Sequence, residues 1–317
     1  MSLFGKKRSN KRVRGRVDIS KRFHLLGQIG QGSMSKVWKA EDLISHRRLA
    51  IKVLDMEKTR RFETRFEGLN KPGEGEVALT LIHQNIVHTY EVGRTTDNEV
   101  YLAMDYVDGS GLSLLLDLQG EIMKRNRLRF MIQIGDALTY IHEQGWIYRD
   151  LCPRNVLVNK EHEIKLIDFG LVVPDKPEFR KAGNRSGTAN YMAPELILRR
   201  PTDQRLDVFA YAVTCFELYT KRLPWQAAMT LDAVVQHINH EPLQITEAEP
   251  KIDSQIAEII MKGLEREPDD RWQTVEEMVT QFREAEARLV KISRDVLASR
   301  KAGRSGEHRK NAAPKSK

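Results

Sequence analysis

A change in hydrophobic pattern near residue 105 constrains the fold of this 317-residue chain more than any other feature. Between Phe23 and Asp105, apolar residues come in short runs such as RRLAIKVL and EVYLAMDY, a pattern typical of strands. One segment, roughly Phe62 to Leu81, has a helical pattern instead. From about Leu112 onward, apolar residues recur at steps of three and four, which predicts helices.

The pattern therefore predicts an α+β fold with two lobes: a small β-rich lobe over residues 23–105 and a larger helical lobe over 106–284. In the large lobe, LDVFAYAVTCFELYT is apolar nearly all round, as expected for a buried helix. A final helix is predicted from about Thr274, with residues 285–299 as an extension. Its apolar residues follow coiled-coil spacing: Met278, Phe282, Ala285, Leu289, Ile292 and Val296. Packing on the lobe and self-association both explain that spacing.

Positive charge is concentrated at the two ends of the chain. Residues 1–22 carry a net +8 and residues 300–317 a net +6, so that a total of +8 leaves the middle at −6. Segments this rich in basic and polar residues are predicted to be disordered tails. Solvation is their expected role, and binding to nucleic acid or an anionic membrane is the less favoured alternative.

Other bulk features exclude several classes of protein. No apolar run approaches the ~20 residues needed to cross a bilayer. The N-terminus MSLFGKKRSNKRVRGR lacks the apolar core of a secretory signal. Cys152 and Cys215 are the two cysteines, which gives no disulfide framework and fits a reducing compartment. The sequence therefore predicts a cytoplasmic protein.

A glycine-rich turn and a strand lysine form the first chemical signal. In IGQGSMSKV, residues 29–37, Gly30 and Gly32 would let backbone amides approach phosphate oxygens. Ser35 replaces the third glycine of G-x-G-x-x-G, and a strand follows where a dinucleotide-binding fold needs a helix. Lys52 lies within the apolar run AIKV. A buried ammonium needs an anion, so the lysine and the glycine turn together indicate a phosphate site.

Two polar stretches further on supply acidic and amide groups. In YRDLCPRNVLV, Asp150 precedes Asn155 by five positions. In IKLIDFGL, Asp168 follows a strand-like run and precedes Phe and Gly, where the chain can turn sharply. Asn155 and Asp168 are oxygen donors suited to Mg²⁺, which binds carboxylates together with substrate phosphates. Asp150 then remains to accept a proton from a substrate hydroxyl or to orient that hydroxyl.

These stretches resemble the motifs of the eukaryotic-type protein kinase family. Seven of them occur in the family's order between about residues 23 and 282: IGQGSMSKV, AIK, YRDLCPRN, DFG, GTANYMAPE, LDVFAYAV and EREPDDRW. The resemblance implies the two-lobed kinase fold, with ATP and Mg²⁺ as cofactors. It also implies transfer of the ATP γ-phosphate to serine or threonine hydroxyls of proteins, this chain included.

The resemblance implies a role for each matching residue. Lys52 would hold the α- and β-phosphates, Asn155 and Asp168 would bind the metal ions, and Asp150 would receive the hydroxyl. The adenine would lie between Ile29, Val37 and Ala50 above and Leu157 below, beside Met104 as gatekeeper and the backbone of Asp105 and Val107. Glu195 and Arg271 resemble the family's buried ion pair that anchors the activation segment.

The glutamate partner of Lys52 is open to two interpretations. Glu74 has the family's spacing, but Pro72 and Gly73 immediately precede it, and proline fits only the first turn of a helix. The helix is therefore expected to start late and to hold Glu74 loosely. Glu76 is the alternative partner.

Two positions depart from the family pattern. Tyr148 stands where histidine is usual, in a packing role. Cys152 stands where most serine/threonine members have a lysine that neutralises the transferring phosphoryl group. Arg154, four residues after Asp150, has the spacing of the arginine that replaces this lysine in many tyrosine kinases, and it is predicted to supply the missing charge. A thiol activated by Arg154 and an inert small side chain are both considered for Cys152, and the inert one is favoured.

The activation segment resembles that of the serine/threonine members. GTANYMAPE has their form, with Thr188 placed to bond Asp150, although dual specificity stays open. Arg149, before Asp150, is typical of control by phosphorylation. Ser186 is the only hydroxyl residue between Asp168 and Gly187, and Asn184 occupies the more usual phosphosite. The hypothesis is that Ser186, or Thr188 itself, is autophosphorylated. The rival to a kinase is a nucleotide-binding pseudokinase scaffold.

Overall fold

A computed structural model describes residues 11–32, 34–181, 186–226 and 236–310. Within these ranges, the small lobe is built on a six-stranded sheet with the strand order β1-β5-β6-β4-β3-β2. The strands are β1 (Lys11–Val17), β2 (Phe23–Gln31), β3 (Ser35–Asp42), β4 (Arg48–Leu54), β5 (Thr89–Thr95) and β6 (Val100–Asp105). Neighbouring strands are antiparallel except β1, which runs parallel to β5. The strand-rich lobe predicted from the sequence is therefore confirmed.

The first strand corrects the prediction of a disordered tail over residues 1–22 for residues 11–22, and residues 1–10 lie outside the described residues. Residues 11–17 pair with the edge of β5, with Lys11 opposite Glu91 and Val17 opposite Thr95. Residues 19–22 form a short helix, α1 (Ile19–Arg22), capped by Asp18. Composition alone favoured disorder, but a free strand edge supplies backbone hydrogen bonds to a basic segment as readily as to an apolar one.

The predicted helix over Phe62 to Leu81 is also wrong in its continuity. The structure has α2 (Met56–Glu63), a 3₁₀ turn (Thr64–Phe66) and, after a break, α3 (Glu74–Thr80). Gly68 within the break has φ of +79°, and Pro72 follows. A left-handed glycine and a proline interrupt the helical hydrogen bonds between the two segments.

The large lobe is mainly helical, as predicted. Its helices are α4 (Leu112–Leu118), α5 (Glu121–Glu143), α6 (Pro194–Ile197), α7 (Arg205–Thr220), α8 (Gln236–Asn239), α9 (Ile245–Ala248), α10 (Ser254–Gly263) and α11 (Val275–Lys310). Short strands carry the loops of the cleft: β7 (Gly109–Gly111), β8 (Trp146–Ile147), β9 (Val156–Asn159), β10 (Ile164–Leu166) and β11 (Val173–Pro174). The run LDVFAYAVTCFELYT is α7, and most of its side chains are buried.

The final helix runs further than predicted. α11 packs against α5 and α7 through Met278, Phe282 and Ala285 and continues to Lys310, into the predicted C-terminal tail. Ile292 and Val296 continue the same spacing but are exposed. Over the ranges that the structure describes, none of the helices combines the length and the apolar character needed to cross a membrane.

Candidate active site

A cleft of about 510 Å³ between the lobes contains most of the predicted site residues. It is lined from the small lobe by β2 to β4, α3 and β6, and from the large lobe by the segments around β9 and β10. The predicted residues that line it are Ile29, Gly32, Val37, Ala50, Lys52, Glu74, Met104, Asp105, Val107, Asp150, Arg154, Asn155, Leu157 and Asp168. Its volume is within the range of small-molecule sites.

Gly30 is the predicted residue that does not line this cleft. It lies in β2 opposite Val37 of β3, so its peptide belongs to the hairpin. Side chains that the sequence analysis did not assign to the cleft also line it, among them Val87, Leu102 and Tyr106. Tyr106 lies between two predicted residues, Asp105 and Val107, and this position in the chain could have indicated that it lines the cleft.

Lys52 in β4 lies at the back of the cleft between two carboxylates. Its Nζ atom is 2.5 Å from Glu74 Oε1 and 3.0 Å from Asp168 Oδ1. Glu74 is the first residue of α3, so the helix does start late and the partner of Lys52 is Glu74. Glu76 is exposed and accepts a hydrogen bond from Gly73 N–H at the start of the helix.

The charges in this triad support one another. Burial would lower the pKa of Lys52, but Asp168 and Glu74 raise it above its ordinary value. Burial would raise the pKa of Asp168, but the Lys52 ammonium holds it below its ordinary value. Burial raises the pKa of Glu74, and Lys52 opposes that rise. The two carboxylates therefore favour the charged form of Lys52.

Asp150 lies across the cleft and is held by two neighbours. Its Oδ1 accepts hydrogen bonds from Thr188 N–H and Oγ1–H, both 2.9 Å. Its Oδ2 accepts one from Asn155 Nδ2, also 2.9 Å. Burial raises the pKa of Asp150, and the bond from Thr188 limits the rise. The predicted contact between Thr188 and Asp150 is therefore present.

A buried carboxylate that the sequence analysis missed fixes the segment before Asp150. Asp207, in α7, accepts hydrogen bonds from the backbone N–H groups of Tyr148 and Arg149 at 2.8 and 2.7 Å, and it lies 2.8 Å from His142 Nε2. Arg149 has φ of +70°, so this turn needs support from outside itself. A lone aspartate in the apolar run LDVFAYAV was the available signal, because a buried carboxylate requires partners.

The two departures from the family pattern have structural explanations. Tyr148 is buried, donates a hydrogen bond to Ile167 O and packs edge-on against Phe169, which is a packing role. Cys152 is buried too, and burial raises the pKa of its thiol. The inert interpretation of Cys152 is therefore the one that the structure supports. Arg154 is exposed at the lining of the cleft.

In the activation segment, both candidate phosphorylation hydroxyls have partners. Ser186 is buried, and its Oγ accepts a hydrogen bond from Arg65 Nη1 at 2.9 Å. Thr188 donates its hydroxyl to Asp150. Asn184 lies outside the described residues. Burial lowers the pKa of the Arg149 guanidinium to about 10.

The large lobe anchors the far end of this segment through the predicted ion pair. Arg271 Nη1 and Nη2 each lie 2.8 Å from one oxygen of Glu195. The two side chains are 0% and 4% exposed. Arg271 also donates to the carbonyls of Glu265 and Arg266, which satisfies the buried guanidinium.

The oxygen donors of the cleft fit a magnesium ion. Lys52 and Gly170 bond to Oδ1 of Asp168, and Asn155 uses its amide nitrogen for Asp150. Asp168 Oδ2 and the Asn155 amide oxygen are then the donors that suit Mg²⁺. Among the described residues, no group of three or more His, Cys, Asp or Glu side chains could hold a metal ion by itself. The other ligands would come from phosphates and water, as Mg²⁺ prefers.

A small β-sheet lobe, a helical lobe and this lysine–carboxylate cleft together define a protein of the kinase-like fold class. Comparison with known families agrees, because the model of the protein kinase domain matches residues 23–282. The chain therefore belongs to the protein kinase family.

Its curated relatives include bacterial serine/threonine-protein kinases. The chain is 29% identical over 270 residues to PrkC of Bacillus subtilis, which covers 84% of this chain and 41% of PrkC. It is 30% identical over 268 residues to PknB of Mycolicibacterium smegmatis, covering 82% of this chain and 42% of that protein. With PknB of Mycobacterium leprae the identity is 28% over 309 residues, or 93% and 49% of the two chains. The chain thus spans less than half the length of these relatives.

Proposed function

We propose that this chain is an ATP-dependent protein kinase that transfers the γ-phosphate to serine and threonine hydroxyls of proteins, its own chain included. The observation that carries the proposal is the cleft, in which Lys52 faces Asp168 on one side and Asp150 holds Thr188 and Asn155 on the other. The relatives that bear the name serine/threonine-protein kinase support the choice of hydroxyl.

In this proposal, each side chain acts mainly by position and charge. Lys52 binds the α- and β-phosphates, and Glu74 keeps its ammonium in place. Asp150 orients the acceptor hydroxyl and takes its proton. Asn155 and Asp168 would hold Mg²⁺, which when bound would neutralise charge on the phosphates. The adenine would lie between Ala50 of β4 and Leu157 of β9.

Arg154 is proposed to replace the lysine that most serine/threonine members have at the position of Cys152. It is exposed at the same cleft as Asp150, and a guanidinium keeps its charge at any working pH. Arg154→Ala is expected to lower kcat by roughly tenfold, since it removes a cation beside a developing anion. Arg154→Lys, which retains a cation, is the matched control.

The kinase assay with γ-³²P-ATP decides between an enzyme and a scaffold. Wild type is expected to label itself and a serine/threonine peptide library, and Asp150→Asn is expected to lose at least ~100-fold, because the general base is removed. Bound nucleotide without any incorporation by wild type would instead indicate a pseudokinase. Labelling of tyrosine peptides at a similar rate would indicate dual specificity.

Self-association through α11 is a further part of the proposal. The first part of α11 packs on the large lobe through buried residues such as Phe282. Further along the helix, Val290, Ile292 and Val296 are exposed. Sedimentation of wild type against Ile292→Glu is the test, and a monomer at all concentrations would reject it.

A further inference from the structure

The α2 segment packs on the activation segment as well as on the small lobe. Phe62 and Phe66 of α2 and the following turn belong to a hydrophobic cluster with Ile147, Val173 and Phe179, separate from the main core. The rings of Phe62 and Phe66 meet edge-on with centroids 5.4 Å apart, and Phe66 and Phe179 are 6.1 Å apart. The small lobe therefore reaches the activation segment through an aromatic contact.

Arg65, between these two phenylalanines in sequence, adds a polar contact to the same segment. Its Nη1 donates a hydrogen bond to Ser186 Oγ at 2.9 Å. Its guanidinium also lies 5.6 Å from the centre of the Phe62 ring. Ser186 is 5% exposed, so its hydroxyl is held inside the protein by a charged donor, the stronger kind of hydrogen bond.

Ser186 is two residues from the active site. Thr188 donates its N–H and hydroxyl to Asp150. Gly187, the residue between them, has φ of +142°, and a Cβ there would lie 3.0 Å from Arg149 O. The chain from Ser186 to Thr188 is therefore closely packed, and a shift of Ser186 would move Thr188 relative to Asp150.

We propose that Arg65 is a positioning residue for the reaction: its hydrogen bond to the unphosphorylated Ser186 hydroxyl, backed by the Phe62–Phe66–Phe179 contact, holds Thr188 on Asp150. The proposal rests on the proposed kinase function. It means that the activation segment is ordered by a neutral hydroxyl and an aromatic contact in place of a phosphate. Arg65, from which this contact is made, lies nine residues before Glu74 and therefore outside α3.

The first test compares Arg65→Ala with Arg61→Ala. Arg61 is on the neighbouring turn, is 79% exposed and forms an ion pair with Glu57 of its own helix. Arg65→Ala is expected to lower kcat by roughly 10- to 100-fold, the size of one charged hydrogen bond, with the KM for ATP and the melting temperature unchanged. Arg61→Ala is expected to keep wild-type kcat. Equal kcat in wild type and Arg65→Ala would overturn the proposal.

Two further variants separate positioning from a general loss of structure. Ser186→Ala is expected to reproduce the fall in kcat, and the double variant with Arg65→Ala to show no further fall, because both remove one hydrogen bond. Arg65→Lys is expected to recover part of the activity. Additive losses in the double variant would mean that Arg65 does not act through Ser186, which contradicts the proposal.

The third test removes phosphate. Phosphatase-treated wild type, shown by mass spectrometry to be unmodified at Ser186, is expected to start at full rate without a lag. Kinase activity that appears only after Ser186 is phosphorylated would show that Arg65 acts by binding a phosphate on Ser186, and the proposal would be wrong. Wild type with no activity before or after treatment, but with nucleotide bound, would instead reject the kinase function itself, so the two failures are distinguishable.

Discussion

Two buried ion pairs among the described residues, Arg271–Glu195 and Lys52–Glu74, differ in how they are supported. Arg271 donates two hydrogen bonds of 2.8 Å to the Glu195 carboxylate and also donates to backbone carbonyls. Lys52 makes one short contact with Glu74, at 2.5 Å, and shares its charge with Asp168. The first pair has every donor satisfied within one lobe, whereas the second joins two elements of the small lobe at the edge of the cleft and extends across the cleft to Asp168.

The local sequence explains the difference. Glu74 begins the short helix α3, whose N-cap is Gly73 without a side-chain cap. Arg271 follows a 3₁₀ turn (Pro268–Asp270), and its guanidinium is enclosed by the chain on both sides. A pair with two aligned hydrogen bonds and every donor satisfied anchors a fold. A pair at the first residue of a short helix, where backbone N–H groups have no partner within the helix, adjusts more readily. We therefore infer that Glu195–Arg271 stabilises the large lobe and that Lys52–Glu74 serves activity.

The largest expected effect comes from breaking the anchoring pair. Arg271→Ala leaves Glu195 buried without its partner, and the free energy of unfolding is expected to fall by about 3–5 kcal/mol. Urea unfolding followed by circular dichroism measures it. Arg200→Ala is the matched control, because Arg200 and Glu267 form a half-exposed pair at 3.2 Å, worth less than about 1 kcal/mol. Equal losses in the two variants would contradict the distinction.

Breaking the other pair should separate activity from stability. Glu74→Gln removes the carboxylate charge from Lys52 but keeps the shape of the side chain, and kcat is expected to fall by roughly 10- to 100-fold. The unfolding free energy should change far less than in Arg271→Ala, because Asp168 still balances Lys52. Glu76→Gln, at the exposed alternative position, should keep normal kcat. A loss of stability as large as that of Arg271→Ala would show that both pairs are anchors.

A third ion pair, Arg22–Asp42 in the small lobe, is only partly buried, and it tests how much such a pair contributes to the free energy of unfolding. Asp42 accepts a hydrogen bond from Arg22. Partial burial alone would raise the pKa of Asp42, but the bond with Arg22 lowers it from 3.8 to about 2. Because the folded-state pKa is the lower one, this stabilisation is present above pH ~4 and is lost as the pH falls towards ~2. About 1–2 kcal/mol should be lost, allowing for solvent screening. Asp42→Asn should remove this part of the acid dependence, and an unchanged curve would contradict it.

The sequence predicted the parts of the site that local motifs position. Asp150 and Asn155 are five residues apart, so their contact follows from a short connection. The contact of Thr188 with Asp150, 38 residues apart, was expected from the family resemblance alone. Lys52 and Glu74 were predicted from family spacing, and the choice of Glu74 over Glu76 needed the helix start that only the structure provides.

The errors concern interactions between distant parts of the chain. β1 forms because β5 has a free edge, which composition does not reveal. The helix expected over residues 62–81 is divided at Gly68 and Pro72, and the packing of Phe66 on Phe179, more than 110 residues later, was not visible in the local pattern. Asp207 was missed for the same reason, since its partners Tyr148 and Arg149 lie in another segment.

The smallest effect expected is a shift in pH dependence at Asp150, the carboxylate proposed to accept the substrate proton. Burial raises the pKa of Asp150 above 3.8, while the Thr188 hydroxyl lowers it. Since the ionised form must accept the substrate proton, activity should be lost on acidification at a higher pH than for an ordinary aspartate. Thr188→Ala should move this acid limb of kcat to still higher pH.

The measurement is kcat against pH at saturating ATP and peptide, with Thr188→Ser as the control that retains a hydroxyl. The backbone N–H of residue 188 still donates to Asp150 in both variants, so one of the two bonds from this residue is lost in the alanine variant alone. A lower kcat at every pH with an unmoved acid limb would show that Thr188 only orients Asp150. A shifted limb would show that it also tunes the charge of that carboxylate, which neither ion pair does directly.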